Sequence, residues 1–134
     1  ATTVLELNAV EQPVSFKVGN DTAWTYSYDS DGRLDGFTQG SKNTQVLAYD
    51  GVGNVASITN VRSEQTSFIY DAANRVTSVV LPDTRVVGFA YDSNGNLTGV
   101  TPPSQPMHVF TYNAFETVDE YQPPGIGVGI NKNT

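Results

Sequence analysis

Apolar and polar residues alternate along this chain in short runs, and the runs recur at a fixed interval. Tyr28, Tyr49, Tyr70, Tyr91 and Tyr112 stand 21 residues apart without a slip. Two positions before them lie Tyr26, Leu47, Phe68, Phe89 and Phe110, and four before lie Trp24, Gln45, Thr66, Val87 and His108. Side chains two apart on an extended backbone share a face, so each unit opens with a β-strand ending at its tyrosine. Asp29, Asp50, Asp71, Asp92 and Asn113 come next, with Gly32, Gly53, Asn74, Gly95 and Glu116 three residues further on. Asp-x-x-Gly reads as a tight turn, because the Asp side chain accepts a bond from backbone two residues on and Gly or Asn tolerates positive φ. The run after the turn, as in residues 75–80, is rich in β-branched side chains and reads as the returning strand.

Six and nine residues after each tyrosine stand Leu34 and Phe37, Val55 and Ile58, Val76 and Val79, Leu97 and Val100, and Val118 and Tyr121. These positions have opposite parity, so the strand carries either a bulge between them or burial on both sides. Eight after the tyrosine comes a small residue, Gly36, Ser57, Ser78 or Gly99, until Glu120 breaks the rule. Clusters of Gly, Pro, Ser and Asn at 39–43, 60–64, 81–84 and 102–106 read as the turns between units. A constant period over five units means one supersecondary unit copied in tandem, each burying its apolar face against its neighbours. The fold class is all-β: tandem antiparallel β-hairpins of 21-residue period in a curled or spiralling sheet.

The segment Tyr28-Asp29-Ser30-Asp31-Gly32-Arg33-Leu34 resembles the YD-repeat, or Rhs-repeat, consensus of Tyr-Asp, two variable residues and Gly-Arg-Leu. Residues 91–97 depart from it by Asn96 for Arg, residues 70–76 by Asn74 for Gly, and the fifth unit degenerates after Tyr112-Asn113. The resemblance covers residues 24–122. It implies hairpins that wind into a spiralling sheet, often a hollow shell, with repeats that are not themselves catalytic. It also implies a secreted or cell-surface setting, as in bacterial polymorphic toxins, toxin-complex shells, wall-associated proteins and teneurins.

The chain divides into residues 1–23, an N-terminal cap or decayed repeat; residues 24–122, five repeats; and residues 123–134, a Gly-rich strand or tail. Leu7 lies 21 before Tyr28, and Val4, Leu5 and Leu7, then Val14, Phe16 and Val18, suggest two short strands around Pro13. No Asp-x-x-Gly signature joins them. After Pro123-Pro124, the run Gly125, Ile126, Gly127, Val128, Gly129 and Ile130 reads as a flexible tail, an intersubunit strand, or a strand closing its own sheet. The chain begins at Ala1 without a signal-like segment, which reads as a processed product or an excised fragment.

Charge narrows the partners. With 14 Asp+Glu against 7 Lys+Arg the net charge is −7, which attracts neither nucleic acid nor an anionic membrane surface. No cysteine supplies disulfides or thiol chemistry, and no apolar run approaches the roughly 20 residues that span a bilayer. Asp29-Ser30-Asp31-Gly32 is one residue short of a calcium loop and has no closing Glu, so the turn reading holds. His108, the single histidine, completes neither a triad nor a metal site, and no two acids stand out as a catalytic pair. No enzymatic activity, cofactor or metal is expected.

Trp24 and Tyr26 could serve as a sugar-stacking platform, but they read first as rungs of an aromatic ladder. A single sheet with such a face needs a cover, from its own wrapping, a longer parent or other copies. Two functions follow. One is an extracellular structural protein that self-assembles into a β-rich fibre or layer, pairing residues 1–10 and 125–134 between copies. The other is a fragment of a large Rhs-type shell or adhesin that encapsulates cargo or binds carbohydrate.

Overall fold

The computed structural model describes residues 3–41 and 45–125. Twelve strands follow one another: β1 (Thr3–Leu7), β2 (Pro13–Val18), β3 (Trp24–Tyr28), β4 (Leu34–Gln39), β5 (Gln45–Tyr49) and β6 (Val55–Thr59). Then come β7 (Gln65–Tyr70), β8 (Val76–Val80), β9 (Val86–Tyr91), β10 (Leu97–Thr101), β11 (His108–Tyr112) and β12 (Val118–Gln122). Hydrogen-bonded neighbours in the sheet are sequence neighbours throughout, so the topology is a meander of antiparallel hairpins. Two compact units divide inside β7, at residues 67 and 68.

In unit 1 every hairpin carries the same irregularity. Tyr28 pairs with Leu34 and Ser27 with Gly36, leaving Asp35 as an extra residue; Ala56 is the extra residue opposite Ala48 and Tyr49. The bulge settles the parity question. It rotates the strand by one position, so Leu34 and Phe37 pair with Tyr28 and Tyr26 and both join the tyrosine face. Unit 2 repeats this at Thr98 and Asp119. On β3 and β5 the tyrosine-face side chains are half-buried while Thr25, Ser27, Val46 and Ala48 on the other face are exposed.

Residues 3–18 form a hairpin of the same geometry. Leu7 pairs with Pro13 and Glu6 with Ser15, so Val14 is the bulge. Asn8 turns the chain although no Asp-x-x-Gly is present: its Oδ1 accepts from the backbone N–H of Val10 and of Gln12, and Glu11 takes φ 64°. The missing signature was thus a poor guide. Asn supplies the same acceptor as Asp, and a non-glycine residue bears the positive φ.

No described hydrophobic side chain is fully buried; the two residues that are buried, Gly36 and Gly99, lie on the face opposite the tyrosines. Within each unit the described strands form a sheet in which no hydrophobic side chain is fully buried.

Candidate functional site

The repeated residues converge where each hairpin turns and meets the next. In the first Tyr-Asp turn, Asp29 N–H donates to Arg33 C=O at 2.8 Å and Gly32 N–H to Asp29 C=O at 3.0 Å. This is a three-residue hairpin loop closed by a residue at positive φ. Asp29 Oδ1 accepts from Asp31 and Arg33 N–H, and Oδ2 accepts from Arg33 Nε at 2.8 Å. Asp71 binds Ala73, Arg75 and Arg75 Nε in the same way. Asp50 and Asp92 use Asn54 and Asn96 in place of arginine, at 3.1 and 3.0 Å. Asn113 holds Phe115 and Thr117 N–H. Gly32, Gly53 and Gly95 sit at φ 78°, 99° and 94°, and Asn74 at 59°.

These bonds hold the carboxyls below their usual range. The Arg33 backbone N–H is the main cause for Asp29, and the Arg75 backbone N–H for Asp71. The Asn96 side-chain amide leads for Asp92, and the Arg85 side chain for Asp83, which sits in the β8–β9 turn. At Asp50 desolvation pushes upward, but the Asn54 N–H and amide bonds outweigh it. The acids are fully engaged as turn anchors.

A second set of bonds joins hairpin to hairpin. Four of the repeat tyrosines, Tyr28, Tyr49, Tyr91 and Tyr112, reach back 15 residues through their hydroxyls to a main-chain carbonyl of the preceding hairpin. Tyr28 donates to Pro13 and Tyr49 to Leu34, each at 2.7 Å. Tyr91 donates to Val76 at 3.0 Å and Tyr112 to Leu97 at 2.9 Å. In three units the residue five after the tyrosine position, Gln12, Arg33 or Arg75, reaches forward. Arg33 lies 4.5 Å from the Tyr49 ring centroid and Arg75 4.7 Å from that of Tyr91. Arg75 Nη1 donates to Asp92 C=O at 2.9 Å, and Gln12 Nε2 to Gly32 C=O at 2.7 Å. Sequence reasoning missed this forward contact. Its signal was the long polar side chain at that position in Gln12, Arg33 and Arg75, where Asn54 and Asn96 carry a shorter amide.

Trp24 and Tyr26, two residues apart on β3, border different hollows. Tyr26, with Leu5, Pro13, Phe16, Tyr28 and Leu34, lines an apolar hollow of about 390 Å³. Trp24 borders a separate, polar one of about 240 Å³ beside Lys17 and Asp21, and its ring lies 6.2 Å from Phe37. In unit 2, His108 Nδ1 is 2.6 Å from Tyr121 Oη, the two rings are stacked, and Phe110 stacks on Tyr121 at 5.2 Å. Tyr70 ends β7. Of the expected intersubunit strand only Gly125 is described; residues 126–130 lie outside the described residues.

A 21-residue unit with a turn-anchoring Asp and a hydroxyl tie to its predecessor is a repeat-array signature, and the family model of the teneurin YD-shell matches residues 3–126. The chain belongs to the teneurin YD-shell family. The match takes in the hairpin of β1 and β2 as well as the YD repeats. Among solved structures, the crystal structure of TcdB2-TccC3-Cdc42 and the Photorhabdus luminescens Tc holotoxin pore align over 87% of this YD-shell chain. Each has a TM-score of 0.71, at 18% and 19% identity. At that identity the likeness is one of fold. The chain spans 7% and 6% of the length of those two chains. No curated protein sequence matches it.

Proposed function

We propose that this YD-shell chain is a non-catalytic wall element of an extracellular shell. The observation that carries the reading is a sheet without a buried hydrophobic side chain, whose hairpins are tied to each other by hydroxyls and side chains. A sheet built this way draws its cohesion from neighbour-to-neighbour contacts along the array, as repeat proteins do, and presents two broad faces. Such a wall separates two compartments and needs no active site. In the structurally similar toxin-complex chains the matching segment is a small part of a much larger protein. Residues 1–23 then serve as one more hairpin of the wall rather than as a cap, because Leu7, Asn8 and Gln12 occupy the places of Tyr28, Asp29 and Arg33.

A second reading, self-assembly into a fibre or layer, draws on the β1 strand, where Leu5 is 54% and Leu7 49% exposed at the sheet edge. It would use Gly125 to Ile130 as the strand between copies. Electron microscopy and sedimentation of the 134-residue chain over a concentration series separate the two. Folded monomers at high concentration support the wall; ordered filaments, lost on removing residues 125–134, would replace it with the self-assembling protein. Carbohydrate as ligand of Trp24 and Tyr26 belongs to the adhesin form of the wall reading.

A further inference from the structure

The last hairpin departs from the others at the place where a following strand would touch it. At five junctions the residue eight after the tyrosine position is Ser15, Gly36, Ser57, Ser78 or Gly99. These face Thr25, Val46, Ser67, Gly88 and Val109. The received strand packs against something small and neutral each time. In the β11–β12 hairpin that place is Glu120, next to the bulge residue Asp119, and β12 is exposed along its whole length. Phe115 at the turn is 88% exposed, Val118 57% and Tyr121 48%. No Lys or Arg occurs between Met107 and Ile130, whereas Glu116, Asp119 and Glu120 do. Among the described residues β12 pairs with β11 alone. The Val118 carbonyl occupies the position that receives a tyrosine hydroxyl at Pro13, Leu34, Val76 and Leu97.

We propose that the outer edge of β12 docks an extended segment of another polypeptide whose side chains alternate between apolar and basic. The proposal rests on the wall reading above and says what continues that wall. Main-chain pairing adds the strand, as in other edge-strand recognition. The register common to the five junctions sets one partner residue opposite Tyr121 on the tyrosine face and its chain neighbour opposite Glu120. Apolar contact satisfies the first, and a lysine or arginine complements the second and Asp119. A second copy of this chain fits worse. The same register brings Val4 against Glu120 and places Glu6 on the acidic face. It also puts Leu7, which has no hydroxyl, where the ladder takes a tyrosine.

The test titrates a labelled seven-residue peptide of alternating lysine and valine into the full 134-residue chain and follows fluorescence anisotropy. A glutamate–valine peptide is the control. The lysine peptide is expected to bind at least about tenfold tighter, with the advantage shrinking in high salt. Glu120→Gln should reduce that preference and Glu120→Lys reverse it, in variants whose circular dichroism matches the parent. Equal binding of the two peptides, or a preference untouched by both substitutions, overturns the proposal. So does binding that appears only after residues 126–134 are removed, because the chain then covers its own edge. Reversible self-association that the lysine peptide fails to compete away assigns the edge to a second copy and overturns it too. A folded monomer that ignores the peptide defeats the docking idea alone, whereas filaments in the microscope defeat the wall reading.

Discussion

Removing the tyrosine hydroxyl at Tyr49 isolates one rung of the inter-hairpin ladder. Tyr49→Phe deletes the 2.7 Å bond to the Leu34 carbonyl but leaves the ring beneath Arg33, 4.5 Å from its guanidinium carbon. The bond is part-buried, and water reaches the vacated carbonyl in part, so the loss should be about 1 kcal/mol. In a chain of this size that lowers Tm by roughly 3–6 °C. Tyr91 and Tyr112, also part-buried, should behave alike, and Tyr28, whose bond is exposed, should lose less. Successive rungs are two strands, or about 10 Å, apart, so the losses should add. Urea and thermal unfolding followed by circular dichroism read the effect. If Tyr49→Phe is neutral while Tyr49→Leu is destabilising, the ring alone does the work and the hydroxyl account of the spacing is wrong.

Gly53 at φ 99° should cost about 1–2 kcal/mol on Gly53→Ala, whereas Asn74→Gly, at a position already tolerating φ 59°, should stay within about 0.5 kcal/mol in the same unfolding assay. Asp35 has a buried Oδ1 without a partner at a bulge position that Thr98 occupies in β10, so Asp35→Thr should raise stability by about 0.5–1 kcal/mol in urea titrations. The carboxyls of Asp29, Asp50, Asp71, Asp83 and Asp92 are depressed in the folded state, so the unfolded chain binds more protons as pH falls. Their contribution is complete above the unfolded value near 3.9 and disappears as pH drops through the lower folded values, which a pH series of Tm should record as a fall confined to acid. Trp24→Ala should leave binding on a glycan array unchanged if Trp24 is a ladder rung beside Phe37; a selective loss would support the sugar platform instead.

The five-fold spacing of Tyr28 to Tyr112 and the Asp-x-x-Gly turns made the hairpins legible from the sequence, because side-chain alternation and turn chemistry are local properties of the chain. Local chemistry also announced that positions six and nine after the tyrosine needed a bulge or two buried faces. Only the pairing register decided for the bulge, since a residue counts as extra only against a partner strand. The Asn8 turn escaped notice for a related reason. Asn8 Oδ1 performs the Asp role, but nothing in the string marks Glu11 as the residue that will take positive φ. The hydroxyl ladder and the reach of Gln12, Arg33 and Arg75 to the next hairpin are contacts across 15 to 20 residues, visible once the strands lie side by side. Glu120 shows the two levels together. Its departure from Gly and Ser stood out in the sequence, and the tertiary structure gave it meaning by placing it at an edge strand, where a carboxylate meets whatever strand comes next.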